Sequence, residues 1–411
     1  MKMRRMISLI LVLCLSMSLL IGCGNKGDNT GDSNTTNTPS DTTNTDNTDN
    51  TDSKDDNEDK SDILIGVSTA ITGSSPLDGE RTTNGVQLAV DEINAKGGVL
   101  GGRKLKLVIE DDQNLGNIAV TVANKMMSEE IVAMLGPQKS SSALAVIPVA
   151  EQYQVPMLSG GTSPKLIESQ SPYFFRLRAS DTLVASIAAK FCLEEFDAKK
   201  IGVLYNNDDY GTGALGVIEE YLTGLNIPYV KEGHNTGDKD STGQILKMKD
   251  EGVDAVIVWT HAPEMAVIAR QIEELGLDVP IVGSVTTSNP DFLNLTDGSA
   301  VKGLYSVCDF SIEDEREMMQ NYVKVSREKF DMDPDMFMTT YYDGVYLIAD
   351  AIERAGSTDR EAVRKALSET NGYEGIIAER TCNEFGELVH EAVVLQMDEN
   401  KEAHLIKKVV E

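Results

Sequence analysis

Histidine is scarce in this chain, four in 411 residues, and His234, His261, His390 and His404 stand in no metal-ligand or catalytic-triad spacing. Positive charge is the second shortage. Lys and Arg number 37 against 66 Asp and Glu, a formal net charge of −29, which argues against nucleic acid or an anionic bilayer surface as a direct partner. No phosphate-cradling GxxxxGK[ST] occurs, and Thr72-Gly73-Ser74-Ser75, although it follows an apolar run, lacks the dinucleotide-binding glycine pattern. Past residue 23 no apolar stretch is long enough to span a membrane. These absences leave a chain suited to holding a small polar molecule, with no catalytic set, metal or cofactor indicated.

What is present begins with the start of the chain. Lys2, Arg4 and Arg5 precede an almost wholly apolar run from Ile7 to Ile21, too short and wrongly flanked for an ordinary span. Residues 1–22 read as a secretory signal. The run ends in Leu20-Ile21-Gly22-Cys23, which resembles the bacterial lipobox, and that resemblance implies that Cys23 is acylated and becomes the mature N-terminus. Two or three acyl chains there would hold the protein on the outer face of the cell membrane, where one chain alone anchors only marginally. Residues 24–61 are nearly all Asn, Thr, Asp, Ser and Gly; with nothing apolar to bury they read, behind Cys23, as a disordered tether with a reach of roughly 35 Å. Of five cysteines, Cys14 leaves with the signal, and Cys192, Cys308 and Cys382 remain without metal-ligand spacing. A Cys308–Cys382 bridge and buried free thiols both stay open.

From Ile63 onward short apolar runs alternate with amphipathic stretches. Strands are expected over 63–70, 104–112, 131–137 and 155–160, with helices over 80–95, 117–129 and 141–153 between them. A second series follows, with strands IGVLYN, DAVIVWT and PIVGS and helices near 181–196, 212–225, 241–251 and 263–275. Strands separated by helices of this length are βαβ units, hence parallel sheets covered on both faces. About 350 residues exceed what a single core usually holds, so two lobes are expected, with Arg178-Ala179-Ser180-Asp181 as the first crossing between them. Ligands of such sheets bind beyond the carboxyl ends of the strands. One of those ends, GPQKSSSALA at 136–145, feeds three serines into a helix start. Hydroxyls and free N–H groups there suit an anion, although one serine acting simply as an N-cap is the plainer reading.

The segments INAKGGVLGGRKLKLVIEDDQ, GPQKSSSA, VPMLSGGTSPKL, YNNDDYGTG and HAPEMAVIARQIEELG, in this order, resemble the Leu/Ile/Val-binding proteins, type I periplasmic substrate-binding proteins of branched-chain amino acid ABC transporters. The resemblance spans nearly all of residues 63–411. It implies an α/β fold of two Rossmann-like lobes with parallel sheets, joined by a three-segment hinge. Residues 62–180 with about 309–372 would form the first lobe, and 181–308 with about 373–411 the second. The lobes would close around one solute, an amino acid or small carboxylate, and pass it to the membrane permease and ATPase subunits of an importer.

Residue by residue, the resemblance places the ligand carboxylate on Ser140. Gly160, Gly161 and Thr162 fall in the loop that grips an α-amino acid, Tyr210 in the second lobe's ring over the ligand, and Phe337 at a pocket aromatic. Three positions depart from the pattern. The carboxylate that answers the ligand ammonium falls on Val285, a first-lobe tyrosine is replaced near Asp78, and a second-lobe tyrosine is replaced by His261. A buried ammonium without a counter-charge is costly, so either Asp78 substitutes or the ligand is an acid without an amino group. A ligand sensor for a signalling partner and an extracellular enzyme are the other two readings. The lack of any signalling segment after residue 23 puts uptake ahead.

Overall fold

The computed structural model describes residues 61–410. The signal, Cys23 and nearly all of the tether lie outside the described residues. Among those described, no helix is long and apolar enough to cross a membrane.

The first sheet holds β1 (Ile63–Thr69), β2 (Leu105–Asp111), β3 (Ile131–Leu135), β4 (Met157–Ser159) and β5 (Phe174–Arg176), all parallel, in the order β2-β1-β3-β4-β5. The second holds β6 (Ile201–Asn206), β7 (Tyr229–His234), β8 (Ala255–Trp259), β9 (Ile281–Gly283) and β10 (Tyr305–Cys308). A small ribbon of β11 (Tyr373–Glu374) and β12 (Glu379–Arg380) follows, and then β13 (Glu391–Met397) and β14 (Ala403–Val410) return to the second sheet. Its order is β14-β13-β10-β9-β8-β6-β7, parallel from β7 to β10 and finished by the antiparallel pair β13 and β14. That hairpin was not anticipated, because β13, despite its apolar run Ala392-Val393-Val394-Leu395, is followed directly by β14 with no helix between them as in the βαβ units. Ile-Val-Ala-Met-Leu in β3 and Ala-Val-Ile-Val-Trp in β8 are buried throughout, as strands covered by helices on both faces must be.

Strand order reverses between β1 and β3 in one sheet and between β6 and β8 in the other. Each reversal opens a crevice beyond the carboxyl ends of the strands. Two helices start earlier than the apolar rhythm suggested. Pro76 occupies the first turn of Pro76–Ala95, where its missing N–H is no loss. Asp208 caps Asp209–Gly224 by accepting the Gly211 N–H at 3.0 Å.

The chain leaves the first sheet after β5 and enters the helix Asp181–Glu195, which packs on the second. After β10 it returns, and the helices Glu317–Phe330 and Met336–Ala355 cover the first sheet. Charged side chains tie the crossings together. Arg178 donates twice to the Asp309 carboxylate, at 2.6 and 3.2 Å, and the Ala179 N–H adds a third bond at 2.9 Å. Arg380, fully buried, donates to Asp343 at 2.7 Å and to the Leu177 carbonyl at 2.7 Å. Burial of both partners would be costly without this pairing, although Arg380 Nε keeps no hydrogen-bond partner among the described residues. Cys192, Cys308 and Cys382 are free thiols, which closes the question of a bridge.

Candidate functional site

A cleft lies where the two crevices face each other, lined from the first lobe by the loops after β1, β3 and β4 and from the second by those after β6, β8 and β9. Asp78, Ser140, Gly160, Thr162, Tyr210, His261, Val285 and Phe337 all line it. Gly161 does not. It stands behind the wall, where a Cβ would lie 2.9 Å from Leu166 Cδ1 and 3.3 Å from the Ser140 backbone, so its lack of a side chain serves packing and not approach to a ligand.

The GPQKSSS turn has a part that neither sequence reading anticipated. Gly136 leaves β3 at φ +86°, with the Ser68 carbonyl where a Cβ would sit, so only glycine fits. The helix Ser140–Tyr153 starts without a side-chain cap, and Ser140, its first residue, turns its hydroxyl toward the loop after β4. Ser140 Oγ accepts the N–H of Thr162 at 3.3 Å and of Ser163 at 3.2 Å. With its lone pairs so used, its own proton remains to donate, beside the unpaired N–H groups of the helix's first turn.

The facing loop has the opposite polarity. Gly160 lines the cleft with its N–H given to Tyr341 Oη at 3.2 Å, so of its two backbone polar groups only the carbonyl is left for a ligand. The Thr162 hydroxyl donates to Asp181 Oδ2 at 3.0 Å, which leaves its lone pairs as acceptors. Arg176, fully buried, fixes this loop from behind through the carbonyls of Gly161 (3.2 Å) and Ser163 (3.0 Å). Burial lifts the Asp181 carboxyl to about 7, against the pull of the Thr162 hydroxyl and of Arg176 and Arg178.

Across the cleft, Asp208 Oδ2 meets His261 Nε2 at 2.7 Å and Lys139 Nζ, from the first lobe, at 3.8 Å. Burial would raise the Asp208 carboxyl, but His261, the Gly211 N–H and Lys139 hold it down at about 2. The His261 ring lies on Tyr210, centroids 5.3 Å apart and planes at 27°. Asp78 is in another situation. Burial, with Asp291 and Asp335 nearby, pushes it well above the usual carboxylate range, and an Asn289 hydrogen bond only partly offsets this. Tyr210, Phe337, Val285 and Pro263 supply the apolar part of the lining.

Sequence reasoning missed Lys139, Arg178, Glu264 and Asn289, which also line the cleft. Glu264 carried a signal, since Pro263-Glu264 is a helix first turn just after a strand end; the others depended on which loops meet. Outside the cleft, Asp398, Glu402 and His404 at the β13–β14 turn have ligand atoms close enough together for a metal ion. Asp398 already accepts the N–H groups of Asn400 and Glu402.

The model of the periplasmic binding protein family matches residues 62–402. A leucine-, isoleucine-, valine-, threonine- and alanine-binding protein of Pseudomonas aeruginosa is 30% identical over 309 residues, 74% of this chain and 82% of that one. Among solved structures, the leucine-binding protein LivK of Thermotoga maritima superimposes with a TM-score of 0.80 at 26% identity, covering 85% of this chain and 99% of its own. The branched-chain amino acid transporter substrate-binding protein LivJ of Streptococcus pneumoniae, in complex with isoleucine, gives 0.78 at 26% identity, covering 84% and 99%.

Proposed function

The chain belongs to the periplasmic binding protein family, within its Leu/Ile/Val-binding branch, and from that premise we propose that it is the extracytoplasmic binding lipoprotein of an ABC importer for a branched-chain or related amino acid. The observation that carries the reading is the polarity of the first-lobe wall. Ser140 and the helix start offer donors, and Gly160 and Thr162 offer acceptors. A carboxylate and an ammonium carried by one α-carbon fit that pair of surfaces, the carboxylate toward the donors and the ammonium toward the acceptors. Tyr210, Phe337 and Val285 suit a branched aliphatic side chain.

In this reading the lobes, 62–180 with about 309–372 and 181–308 with about 373–411, close over the solute through the Lys139–Asp208 contact. Cys23 carries the lipid, and the closed form docks on the permease. The second reading, an acid without an amino group, draws on Val285, which puts an apolar group where the family's pattern has a carboxylate. Mass spectrometry of the solute carried through native purification, with a thermal-shift screen of the twenty amino acids and a set of small carboxylic acids, decides between them. A response to acids alone overturns the amino-acid reading.

A further inference from the structure

Glu264 lies in the first turn of the helix Ala262–Leu275, after β8, and lines the cleft. It is 4% exposed. One carboxylate oxygen, Oε1, accepts the Gly237 N–H at 2.6 Å. The other, Oε2, is buried with no hydrogen-bond partner among the described residues. No Lys or Arg pairs with this carboxylate, and Glu264 takes part in none of the ion pairs of the described residues. His234 lies beside it, and its Nε2 is also without a partner among the described residues. Burial pushes His234 below its ordinary value, so at neutral pH that ring supplies no positive charge.

A buried carboxylate with half its acceptor capacity unused is costly, and a structure tolerates it where something else completes the pairing. The helix N-terminus favours a negative charge at this position but leaves Oε2 without a donor. Glu264 is among the residues lining the cleft, and the family's usual ammonium partner is replaced there by the apolar Val285. Asp78, the substitute expected from sequence, is flanked by Asp291 and Asp335 and hydrogen-bonded to Asn289.

We propose that Glu264 is the counter-charge for the ligand's α-ammonium, so that the carboxylate missing from the loop after β9 is supplied by the helix after β8. This rests on the amino-acid reading given above. The ammonium then lies between acceptors of both lobes, the Gly160 carbonyl and Thr162 hydroxyl on one side and Glu264 on the other. An amino acid would therefore favour closure more than its deaminated analogue, because only the ammonium can join the two sets of acceptors.

The test compares the full chain with Glu264→Gln, using calorimetry on L-leucine, L-isoleucine and L-valine and on 4-methylpentanoate, which is leucine without its amino group. Glutamine keeps an acceptor for the Gly237 N–H while removing the charge and turning the other oxygen into an NH2 donor. The amino acids are expected to weaken by about 30-fold or more, the usual loss when one partner of a buried charge pair is neutralised. The carboxylic acid is expected to bind as before or more tightly, so the preference for leucine over 4-methylpentanoate collapses. Glu274→Gln, which removes an exposed charge from the same helix, is expected to leave both affinities unchanged. A merely structural Glu264 would shift melting temperature and weaken both ligand types together. That outcome, or leucine binding within threefold of wild type, overturns the proposal. If wild type itself binds the acid and no amino acid, the functional reading has failed and this inference with it, and the wild-type measurement alone shows so.

Discussion

Ser140 Oγ accepts the backbone N–H of Thr162 at 3.3 Å, across 22 residues of chain. The helix start after β3 and the loop after β4 are thereby one unit, in which the hydroxyl that holds the loop also has its proton left over for a ligand. Stability and affinity are coupled at this residue.

Ser140→Ala is expected to weaken amino-acid binding by about 1–3 kcal/mol. It also leaves two buried N–H groups, of Thr162 and Ser163, without their acceptor, so the ligand-free melting temperature should fall as well. A variant that loses affinity at unchanged melting temperature would contradict the bracing role. Loss of stability at unchanged affinity would contradict the ligand role.

Asp181 makes stability depend on pH. Its folded-state value of about 7 lies above the ordinary carboxylate value near 4. Between those two values the folded chain keeps a proton that the unfolded chain has released. This group's contribution is therefore complete below about pH 4 and is lost as pH rises through 7. Asp181→Asn should remove that decline, so its melting temperature falls less than wild type's from pH 5 to 8. Parallel curves over that range would show that Asp181 does not titrate there.

The Lys139–Asp208–His261 group spans the cleft, and breaking it should loosen closure. Asp208→Asn keeps an acceptor for the Gly211 N–H and so preserves the helix cap, while the charge facing Lys139 and His261 is lost. The expected result is weaker ligand binding, by more than the roughly 1 kcal/mol of an exposed pair, because the Lys139 and Asp208 side chains are only 17% and 16% exposed, and less compaction on ligand addition by small-angle scattering. Asp208→Ala should add a stability loss of about 1 kcal/mol from the missing cap. Unchanged compaction in Asp208→Asn would remove this group from the closing contacts.

In the proposed reading the lipobox-like Cys23 carries the membrane anchor. Cys23→Ala should abolish incorporation of a fatty-acid analogue and leave the chain unprocessed or released from the membrane fraction. Labelling of the Ala variant would show that the lipid is carried elsewhere.

The sequence alone was enough for the α/β architecture, because buried parallel strands must be continuous apolar runs and IVAML and DAVIVWT can be little else. It was also enough to gather Ser140, Gly160, Thr162, Tyr210 and His261 as residues at strand ends, since that placement follows from chain order. It could not give their polarity. Whether Thr162 presents a proton or a lone pair depends on Asp181, 19 residues away, and Ser140's donor role depends on the N–H groups of Thr162 and Ser163. Nor could it separate Asp78 from Glu264, two acidic residues in helix first turns. Their difference lies in neighbours brought from elsewhere in the chain: Asp291 and Asp335 crowd Asp78, and the Gly237 N–H leaves one Glu264 oxygen without a partner. Hydrophobic periodicity is a local property and survives in one dimension, whereas hydrogen-bond direction and charge pairing are set by whichever groups the fold brings within about 3 Å.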